Sequence, residues 1–551
     1  MRPANTPSYE QYLPPRALWP DLLRFRPEFQ YPEALNVATE LLSKGNAADP
    51  AIYFKDEQVS YNALERMTNR LGNVFLRLGV KPGDRVALRL PNRPVFVAAW
   101  LAIQKIGAVG VATMPMLRAR ELAYIVNDST ATVFLCASDL LDELIRAREG
   151  FGHRVAIICD GDMASADYAL DELLGGAPDE LEPYPTKRDD LALIAYTSGS
   201  TGVPKGTTHS PADILAAADG YARSVLQPLR TDVFGGHPTL AFTFGLGGLL
   251  IFPFRFGAAT TLIDRYTPEI LLNTIARRRV SLLFCTATTY RMLLQDPNLV
   301  DAHDLSSLRL CVSAGETLPT AVFNEWRRRV KVEILDGIGA TEMFHVFISA
   351  RSGSVRPGST GLPVPGYEAK IVDDDLKEIP RGRAGLLAVR GPTGCRYWRK
   401  PDLQRNYVRD GWNVTGDVYV QDDSGYFWYQ CRNDDLIICG GYNIAGPEVE
   451  AVLLEHSLVA EAAVVASPDP VRGFVPKAFL VLKSGAQGSG DLIRELKEHV
   501  KRELAPYKYP REIEFVTSLP RTETGKIRRD ELRKVAREHA AEAGVEPGGS
   551  L

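Results

Sequence analysis

The sequence predicts an α/β fold with a large N-terminal domain of mainly parallel sheets flanked by helices, a β-subdomain, and a small mobile α+β C-terminal domain. From about residue 50 to about residue 430, short apolar runs alternate with helical patterns. These runs are continuously apolar, which is typical of strands buried on both faces of parallel sheets. Ligand-binding loops are therefore expected at the carboxyl ends of the strands.

Two series of segments support the parallel sheets. The first has "RVALRLP" from Arg85, a helical stretch from Pro94, and then "VATMPM" from Val111. The second comprises "VSLLFCTAT" at 280–288, "LRLCVSAGE" at 308–316 and "VEILDGIGATE" at 332–342. Each apolar run has the length of a strand, and a helical pattern separates it from the next apolar run.

The sequence changes character at "CRNDDLIICGGYNIAGPEVEAVLLEH", which begins at Cys431. A polar cluster, two glycines and a proline at a helix start are typical of a linker that enters a new domain. About 115 residues with an α+β pattern follow. We expect an N-terminal domain over 1–432, a hinge at 433–436 and a C-terminal domain over 437–551.

Composition indicates a soluble globular protein. Acidic and basic residues are interspersed and the net charge is −4, so no nucleic-acid partner is expected. The most apolar stretch, 240–254, has about fifteen residues, whereas a membrane span needs roughly 20. The seven cysteines include no C-x-x-C pair and no secretory leader is visible, so a reducing, cytoplasmic location is expected.

A glycine-rich and hydroxyl-rich loop, "YTSGSTGVPKG" at 196–206, follows an apolar run. It differs from the G-x-x-x-x-G-K-[ST] phosphate loop because Pro204 precedes Lys205 and Gly206 follows it. Glycines still let backbone N–H groups approach an anion closely, and the hydroxyls add donors. A flexible surface loop is the alternative. The candidate phosphate-binding residues are Thr197, Ser198, Gly199, Ser200, Thr201, Gly202 and Lys205.

Five motifs in order carry a family resemblance. They are the loop at 196–206, "GIGATE" at 337–342, "GWNVTGD" at 411–417, "CRNDDLIICGGYNI" at 431–444 and "PRTETGKIRR" at 520–529. Together they resemble the adenylate-forming superfamily of acyl- and aryl-CoA synthetases, peptide-synthetase adenylation domains and luciferases. The resemblance covers nearly the whole chain.

Within that superfamily the chain most resembles aryl-CoA ligases, and especially 2-aminobenzoate (anthranilate) CoA ligases and the benzoate-CoA ligase group. The segments behind this narrower resemblance include "LAFTFGLGGLL" at 240–250, "DGIGATEMFHVFIS" at 336–349, "RGPTGCRYW" at 390–398 and "APYKYPREIEF" at 505–515. Benzoate-type relatives share the "GIG-x-TEM-x-H" pattern, which supports an aromatic carboxylate more directly than it supports anthranilate.

The resemblance implies roles for the ATP-binding residues. The loop at 196–206 would hold the β- and γ-phosphates, with Lys205 closing it, while Thr341 takes the α-phosphate and Glu342 takes magnesium. Read alone, Thr341 and Glu342 would be a helix cap. Asp417 matches the acid that accepts from both ribose hydroxyls, although a turn aspartate is the alternative. The remaining ATP-binding candidates are Asp336, Gly337, Ile338, Gly339, Tyr429 and Arg432.

Lys526, in "TETGKIRR", matches the lysine that bridges the substrate carboxylate and the α-phosphate during adenylation. A solvated lysine near the C-terminus is the alternative. The resemblance implies that the small domain rotates between half-reactions, with Asp434 at the hinge and with Gly440 and Gly441 beside the CoA arm.

Candidate residues of the aryl pocket match the benzoate group. They are Phe242, Phe244, Gly245, Leu246, Gly315, Ala340, Met343 and His345. Aromatic walls suit a flat ring, and small residues leave room for it. Ordinary core packing is the alternative for the two phenylalanines, and His345 could be a core histidine or could bond an ortho substituent.

The resemblance therefore predicts an ATP-dependent aryl-CoA ligase that uses ATP, Mg2+ and CoA, with an aromatic carboxylate as substrate. A stand-alone enzyme that loads a carrier protein and a non-catalytic nucleotide-binding protein are the alternatives. No membrane partner is expected, and a homodimer is compatible with the resemblance.

Overall fold

The structure is a computed structural model of the 551-residue chain. It describes residues 9–163, 165–197, 204–439, 442–470, 472–504, 506–522 and 525–542. The described residues form two compact units, one within Met1–Ala369 and Ala388–Val414 and the other within Lys370–Leu387 and Thr415–Leu551. We call them the first unit and the second unit.

The strands lie in four sheets. In chain order they are β1 Pro50–Phe54, β2 Glu57–Ser60, β3 Arg85–Arg89, β4 Val109–Ala112, β5 Val133–Ala137, β6 Ala156–Asp160, β7 Tyr168–Ala169, β8 Leu193–Thr197, β9 Lys205–His209, β10 Val233–Gly236, β11 Ala259–Leu262, β12 Leu282–Cys285, β13 Leu310–Ala314, β14 Ile334–Gly339, β15 Val346–Ser349, β16 Leu362–Pro363, β17 Glu368–Val372, β18 Ala384–Arg390, β19 Val408–Arg409, β20 Trp412–Gln421, β21 Phe427–Arg432, β22 Leu436–Cys439, β23 Tyr442–Ala445, β24 Val459–Asp469, β25 Gly473–Leu482 and β26 Glu512–Phe515.

The α-helices pack against these sheets. They are α1 Val37–Leu42, α2 Tyr61–Arg77, α3 Pro94–Lys105, α4 Ala119–Ser129, α5 Leu141–Arg148, α6 Leu170–Leu174, α7 Pro211–Ala217, α8 Thr243–Leu246, α9 Phe252–Arg255, α10 Pro268–Arg278, α11 Ala287–Gln295, α12 Pro297–Asp301, α13 Thr320–Val330, α14 Pro401–Tyr407, α15 Gly446–Glu455, α16 Gly490–Glu503 and α17 Arg529–Glu542. Two π-helical segments, Ala218–Leu226 and Gly247–Ile251, continue α7 and α8.

A nine-stranded sheet in the first unit has the order β16-β15-β14-β13-β12-β10-β11-β1-β2. Strands β14, β13, β12, β10, β11 and β1 pair in parallel. Every residue of β12 and β13 is buried, so the continuous apolar runs are strands covered on both faces, as predicted. The carboxyl ends of β13 and β14 lie side by side because Ala314 pairs with Gly337.

A seven-stranded sheet has the order β7-β6-β5-β3-β4-β8-β9. The predicted strand–helix–strand series is β3, α3 and β4, and β3 pairs with β4 in parallel. Residues Phe96–Lys105 of α3 are all buried, because a helix that is apolar on every side needs cover on every side. Strands β8 and β9 pair antiparallel with Thr197 opposite Lys205, so they flank the predicted phosphate loop.

The second unit contains the predicted α+β C-terminal segment. Strands β22 to β26 form one sheet, and α15 and α16 contribute to its core through residues such as Val449, Leu453 and Leu496. Pro447 lies in the first turn of α15, where a missing N–H group costs nothing. The predicted fold class is confirmed by this architecture, while the boundaries 1–432, 433–436 and 437–551 and the mobility of the C-terminal domain stay predictions.

Two further features concern the cysteines and the helices. All seven cysteines are buried free thiols, as expected of small core residues. Within the described part of the chain, no helix is long and apolar enough to cross a membrane.

A buried ion triad ties distant parts of the first unit together. Asp213, whose side chain is 0% exposed, accepts from Arg24 at 2.6 Å and also pairs with Arg396. It closes a capping box with Ser210 at the start of α7. Burial opposes ionisation of Asp213, but the charges of the two arginines prevail and lower its pKa.

We predict that Asp213→Asn lowers the free energy of unfolding by about 3–5 kcal/mol at neutral pH, because the buried guanidinium of Arg396 loses its counter-charge and the half-buried Arg24 loses one of its two. The difference from wild type should begin to shrink as the pH falls below about 4, where Asp213 of the unfolded chain takes up a proton, and it should vanish only below the lowered pKa of the folded state. Urea unfolding at several pH values measures both effects.

Asp189→Asn is the matched control, because Asp189 also pairs with Arg24, at 3.0 Å, but its side chain is 59% exposed. We expect a change within about 1 kcal/mol. Equal effects of the two substitutions would contradict the stabilising role of the triad.

Candidate active site

Candidate residues gather at the carboxyl ends of β13 and β14 in the first unit. Thr341–Met343 form a 3-10 turn after β14. The position before the turn is Ala340, and no side chain caps it, so the helix-cap interpretation of Thr341 does not hold. Thr341 is buried and Glu342 is half-buried.

His209, at the end of β9, holds this turn in place. Its Nε2 donates to the backbone oxygen of Thr341 at 2.8 Å. The ring is fully buried, and burial lowers its pKa to about 4, so the histidine is neutral at physiological pH. The strand that follows the phosphate loop is thereby tied to the predicted α-phosphate residue.

The backbone is strained directly after the turn. Phe344 has φ +71° and ψ −49°, a conformation that costs a non-glycine residue about 1–3 kcal/mol. Its side chain is fully buried and meets His209 edge-on at 5.2 Å. The strained residue lies between Met343 and His345, which are both pocket candidates.

Glu342 has a partner that the sequence did not indicate. The hydroxyl of Tyr397 donates to Glu342 Oε1 at 2.6 Å. Burial, together with the charge of Glu342, raises the pKa of Tyr397 well above its ordinary value. The ammonium of Lys205 lies 5.9 Å from the centre of the same ring, within cation–π range.

The segment 396–398 runs beside β9. Trp398 N donates to Gly206 O at 2.8 Å, Thr208 N donates to Arg396 O at 2.9 Å, and Thr207 pairs with Tyr397. The phosphate candidates Thr197 and Lys205 are half-buried at the ends of β8 and β9. Ser198, Gly199, Ser200, Thr201 and Gly202 lie outside the described residues.

The aryl-pocket candidates surround a buried histidine. The rings of Phe244 and Phe252 lie 5.6 Å and 4.6 Å from that of His345, and Tyr221 stacks on it at 5.6 Å. Leu246 and Met343 are buried, and Phe242 and Ala340 are half-buried. Tyr221 and Phe252 were not predicted, because they belong to apolar helical runs without a recognisable motif.

The two glycines of the pocket differ. A Cβ on Gly245 would lie 2.1 Å from the backbone oxygen of Thr239, so the local backbone, not a ligand, requires glycine there. Gly315 has φ +87°, and a Cβ there would meet nothing within 4 Å. Of these two glycines, Gly315 is the one at which an added Cβ would find open space, while the place of both in the aryl pocket stays a prediction.

His345 has one satisfied and one unsatisfied nitrogen. Its Nε2 donates to the backbone oxygen of Phe244 at 3.3 Å, while Nδ1 is buried without a partner among the described residues. Burial lowers its pKa to about 3. A neutral ring that donates from Nε2 keeps a lone pair on Nδ1, so His345 offers one buried hydrogen-bond acceptor.

The predicted adenine segment, 336–339, is the end of β14. A Cβ on Gly337 or Gly339 would lie 2.9 Å or 2.8 Å from atoms of Val346 or His345, so the antiparallel neighbour β15 requires both glycines. Burial raises the pKa of Asp336 to about 8, and its Oδ1 lacks a partner among the described residues. Ile338 is half-buried.

The second unit contains the remaining ATP candidates. Asp417 lies within β20, opposite Arg432 of β21, and Arg432 donates to it at 3.1 Å, so it is not a turn residue. Burial raises the pKa of Asp417, and the positive charges of Arg432 and Lys526 offset that rise only in part. Lys526 is therefore close enough to act electrostatically on Asp417.

Lys526 lies in a tight turn. Thr522 N donates to Lys526 O at 2.7 Å, Lys526 N donates to the Thr522 hydroxyl at 3.1 Å, and Gly525 has φ +85°. Tyr429 is half-buried in β21 beside Tyr419, at 5.5 Å between ring centres. The backbone of Asp434 belongs to the 3-10 turn Asn433–Asp435; its side chain, Gly440 and Gly441 lie outside the described part.

Two long parts of the chain match known families. Residues 42–398 match the AMP-binding enzyme family, and residues 448–526 match the AMP-binding enzyme C-terminal domain. The chain belongs to the AMP-binding enzyme family. The sequence-based assignment to the adenylate-forming superfamily, and to its acid–thiol ligases, is confirmed.

Three similar proteins indicate the part of the family to which the chain is related. The chain is 38% identical to the benzoate–CoA ligase of Thauera aromatica, over 92% of this chain and 97% of the relative. It is 34% identical to the 4-hydroxybenzoate–CoA/benzoate–CoA ligase of Rhodopseudomonas palustris, over 92% and 94%. The anthranilate CoA ligase AuaEII, solved with anthranoyl-AMP, is 36% identical, with a TM-score of 0.89 over 94% and 100%.

We predict that acid destabilises the protein through its buried histidines. The pKa values of His209 and His237 fall to about 4 and that of His345 to about 3, in each case because the ring is buried. An unfolded histidine titrates near about 6.5. Below that pH the histidine binds a proton in the unfolded chain but not in the folded chain. Each histidine therefore lowers the free energy of unfolding by about 1.4 kcal/mol per pH unit, until the pH reaches its folded pKa.

His237→Gln should therefore flatten the loss of unfolding free energy between pH 6.5 and 5 relative to wild type. Urea unfolding over this range checks the slope, which is independent of any constant destabilisation caused by the substitution. If the free energy of unfolding falls with the same slope in wild type and in His237→Gln, the prediction that His237 is neutral in the folded chain is wrong.

Proposed function

We propose that the protein is an ATP-dependent aryl-CoA ligase whose substrate is 2-aminobenzoate or a close benzoate analogue. The carboxylate attacks the α-phosphate of ATP to give an aryl adenylate and pyrophosphate. The thiol of CoA then displaces AMP, losing its proton, to give the aryl thioester. The observation that carries the proposal is the cluster of aromatic rings around His345, three residues from Glu342, in which His345 Nδ1 is a buried acceptor without a partner among the described residues.

The first step brings two anions together, so the site must neutralise charge and align the attack. Lys205 supplies one positive charge at the start of β9, where it would contact the β- and γ-phosphates together with the loop 197–202. Thr341 would bind the α-phosphate. The hydrogen bond from His209 to Thr341 supports this role, because it fixes the turn relative to β9.

Magnesium is proposed at Glu342. Oε1 is occupied by Tyr397, and Oε2 has no partner among the described residues. The described residues hold no group of three or more His, Cys, Asp or Glu side chains that could bind a metal alone. Mg2+ typically takes one or two carboxylates together with substrate phosphates, so one carboxylate fits an ion that is shared with ATP. When bound, the ion would neutralise phosphate charge.

The nucleoside would be held by two further groups of residues. Asp417 would accept from the ribose hydroxyls, with Arg432 beside it, because an ionised carboxylate can accept from two donors. Tyr429 and residues 336–339 would border the adenine. A pKa near 8 leaves Asp336 largely protonated at neutral pH, so it could donate to a base nitrogen.

Lys526 is the proposed catalytic lysine, because it would bridge the carboxylate and the α-phosphate as their charges meet. The small domain, 437–551, would then rotate about Asp434 in the hinge 433–436 and bring Gly440 and Gly441 to the CoA arm. The influence of Lys526 on the pKa of Asp417 supports an adenylation role. A homodimer, cytoplasmic localisation and a carrier protein as alternative acceptor stay untested predictions.

The ring substituent is proposed from His345. A buried acceptor without a partner favours a substrate that brings a hydrogen-bond donor, such as a 2-amino group. Unsubstituted benzoate would leave Nδ1 unsatisfied. The relationship to AuaEII, which was solved with anthranoyl-AMP, supports the same substrate.

We predict that Lys526→Ala slows adenylation by about 10²-fold, the typical loss of one preorganised charge-stabilising group. Carboxylate-dependent pyrophosphate release measures this step. Thioester formation from supplied aryl adenylate should change much less. Lys534→Ala, at a side chain that is 78% exposed on α17, is the control and should leave both half-reactions unchanged. Equal losses in both half-reactions of Lys526→Ala would contradict its assigned role.

We predict that His345→Phe lowers kcat/KM for 2-aminobenzoate by about tenfold, the value of one hydrogen bond, while benzoate is affected much less. Phenylalanine keeps the ring contacts and removes both the Nδ1 acceptor and the Nε2–H donor to Phe244 O; the loss of that internal bond affects both substrates alike, so the difference between the substrates reports on Nδ1. Pyrophosphate release should be measured with benzoate, 2-aminobenzoate, hydroxybenzoates, arylacetates and fatty acids. Equal losses for benzoate and 2-aminobenzoate would contradict the acceptor role, and preference for a fatty acid would reject the aryl assignment.

A further inference from the structure

Tyr397 links two groups that lie on different segments of the first unit. Its hydroxyl donates to Glu342 Oε1 at 2.6 Å, and its ring centre lies 5.9 Å from Lys205 Nζ. Glu342 follows β14 and Lys205 begins β9. A single side chain, only 2% exposed, thus contacts the proposed magnesium ligand and the proposed phosphate clamp.

The position of Tyr397 is fixed on several sides. Its backbone N donates to Gln404 Oε1 at 2.8 Å, and the ring of Tyr407 meets its own edge-on at 5.7 Å. The backbone also pairs with Thr207 of β9. These contacts hold the backbone and the ring of Tyr397, so they restrict where its hydroxyl can lie and thereby where the carboxylate of Glu342 can accept from it.

The hydrogen bond selects one orientation of Glu342. With Oε1 engaged by a buried phenol, rotation of the carboxylate would break a bond to an ionised acceptor, which is stronger than a neutral one. The orientation of Oε2 is then fixed as well, and Oε2 has no partner among the described residues. Groups that orient a metal ligand in this way commonly contribute ten- to a hundredfold to metal affinity or activity.

We propose that Tyr397 is a positioning residue for adenylation: it holds Glu342 so that Oε2 faces the metal–nucleotide complex, and it fixes the distance of Glu342 from Lys205. The inference rests on the proposed function, because it assumes that Glu342 receives the metal of ATP. Tyr397 touches neither the substrate nor the metal in this role.

The test uses the full chain with Mn2+ as a paramagnetic substitute for Mg2+ and a non-hydrolysable ATP analogue. Water-proton relaxation gives the dissociation constant of Mn2+ in the complex with protein and nucleotide. Tyr397→Phe keeps the ring and removes the hydroxyl, and we expect Mn2+ to bind at least tenfold more weakly. The Mg2+ concentration for half-maximal pyrophosphate release should rise in parallel, and thioester formation from supplied adenylate should not change.

Tyr407→Phe is the matched control, because it removes a phenol hydroxyl from the same aromatic cluster and keeps the edge contact with Tyr397. Mn2+ affinity should match wild type. Glu342→Gln removes the carboxylate and therefore gives the largest loss of Mn2+ affinity that Tyr397 could cause through it. The double variant Tyr397→Phe/Glu342→Gln should bind Mn2+ no more weakly than Glu342→Gln alone, since the tyrosine acts through the carboxylate.

Unchanged Mn2+ affinity in Tyr397→Phe would overturn the inference. So would a further tenfold loss in the double variant, or equal losses in both half-reactions. Failure of the proposed function gives a different result: wild-type protein would then release no pyrophosphate with any acid tested, while the comparison of Mn2+ affinities would still report on Tyr397 and Glu342.

Discussion

The buried ion triad of Arg24, Asp213 and Arg396 is the constraint on which the site in the first unit depends. A buried charge is stable only when well-placed partners neutralise it. The carboxylate of Asp213 therefore fixes the positions of the guanidinium groups of Arg24 and Arg396. Arg396 is the residue before Tyr397, and its segment runs along β9. The position of the phenol beside Glu342 therefore depends on a salt bridge that takes no part in the chemistry.

Electrostatic charge within the site is limited to a few groups. Burial keeps His209 and His345 neutral and favours the protonated form of Asp336. Lys205 and Glu342 lie at the half-buried edge instead. In the proposed roles of Lys205 and Glu342, a reaction between two anions would benefit from this separation, because neutral walls do not compete with the charges proposed to hold phosphate and metal.

The sequence predicted the alternation of strands and helices and the order of the motifs, because continuous apolar runs and glycine-rich loops are local signals. It did not predict Tyr397 as a partner of Glu342 or His209 as a partner of Thr341, since both contacts join segments more than fifty residues apart. The requirement for glycine at position 245 was also missed, although it is local: the atom that excludes a side chain is the backbone oxygen of Thr239, in the preceding loop, and the residue pattern does not show how closely that loop approaches.

The tautomer and the low pKa of His345 have different consequences for substrate preference and for stability in acid. Its Nε2–H donates to a backbone oxygen, and burial lowers the pKa of the ring to about 3. In the proposed acceptor role, His345 would thus act on ring substituents in mildly acidic surroundings as at neutral pH. The same histidine would meanwhile shift the balance toward the unfolded chain, so acidity would reduce the amount of active enzyme without altering its preference.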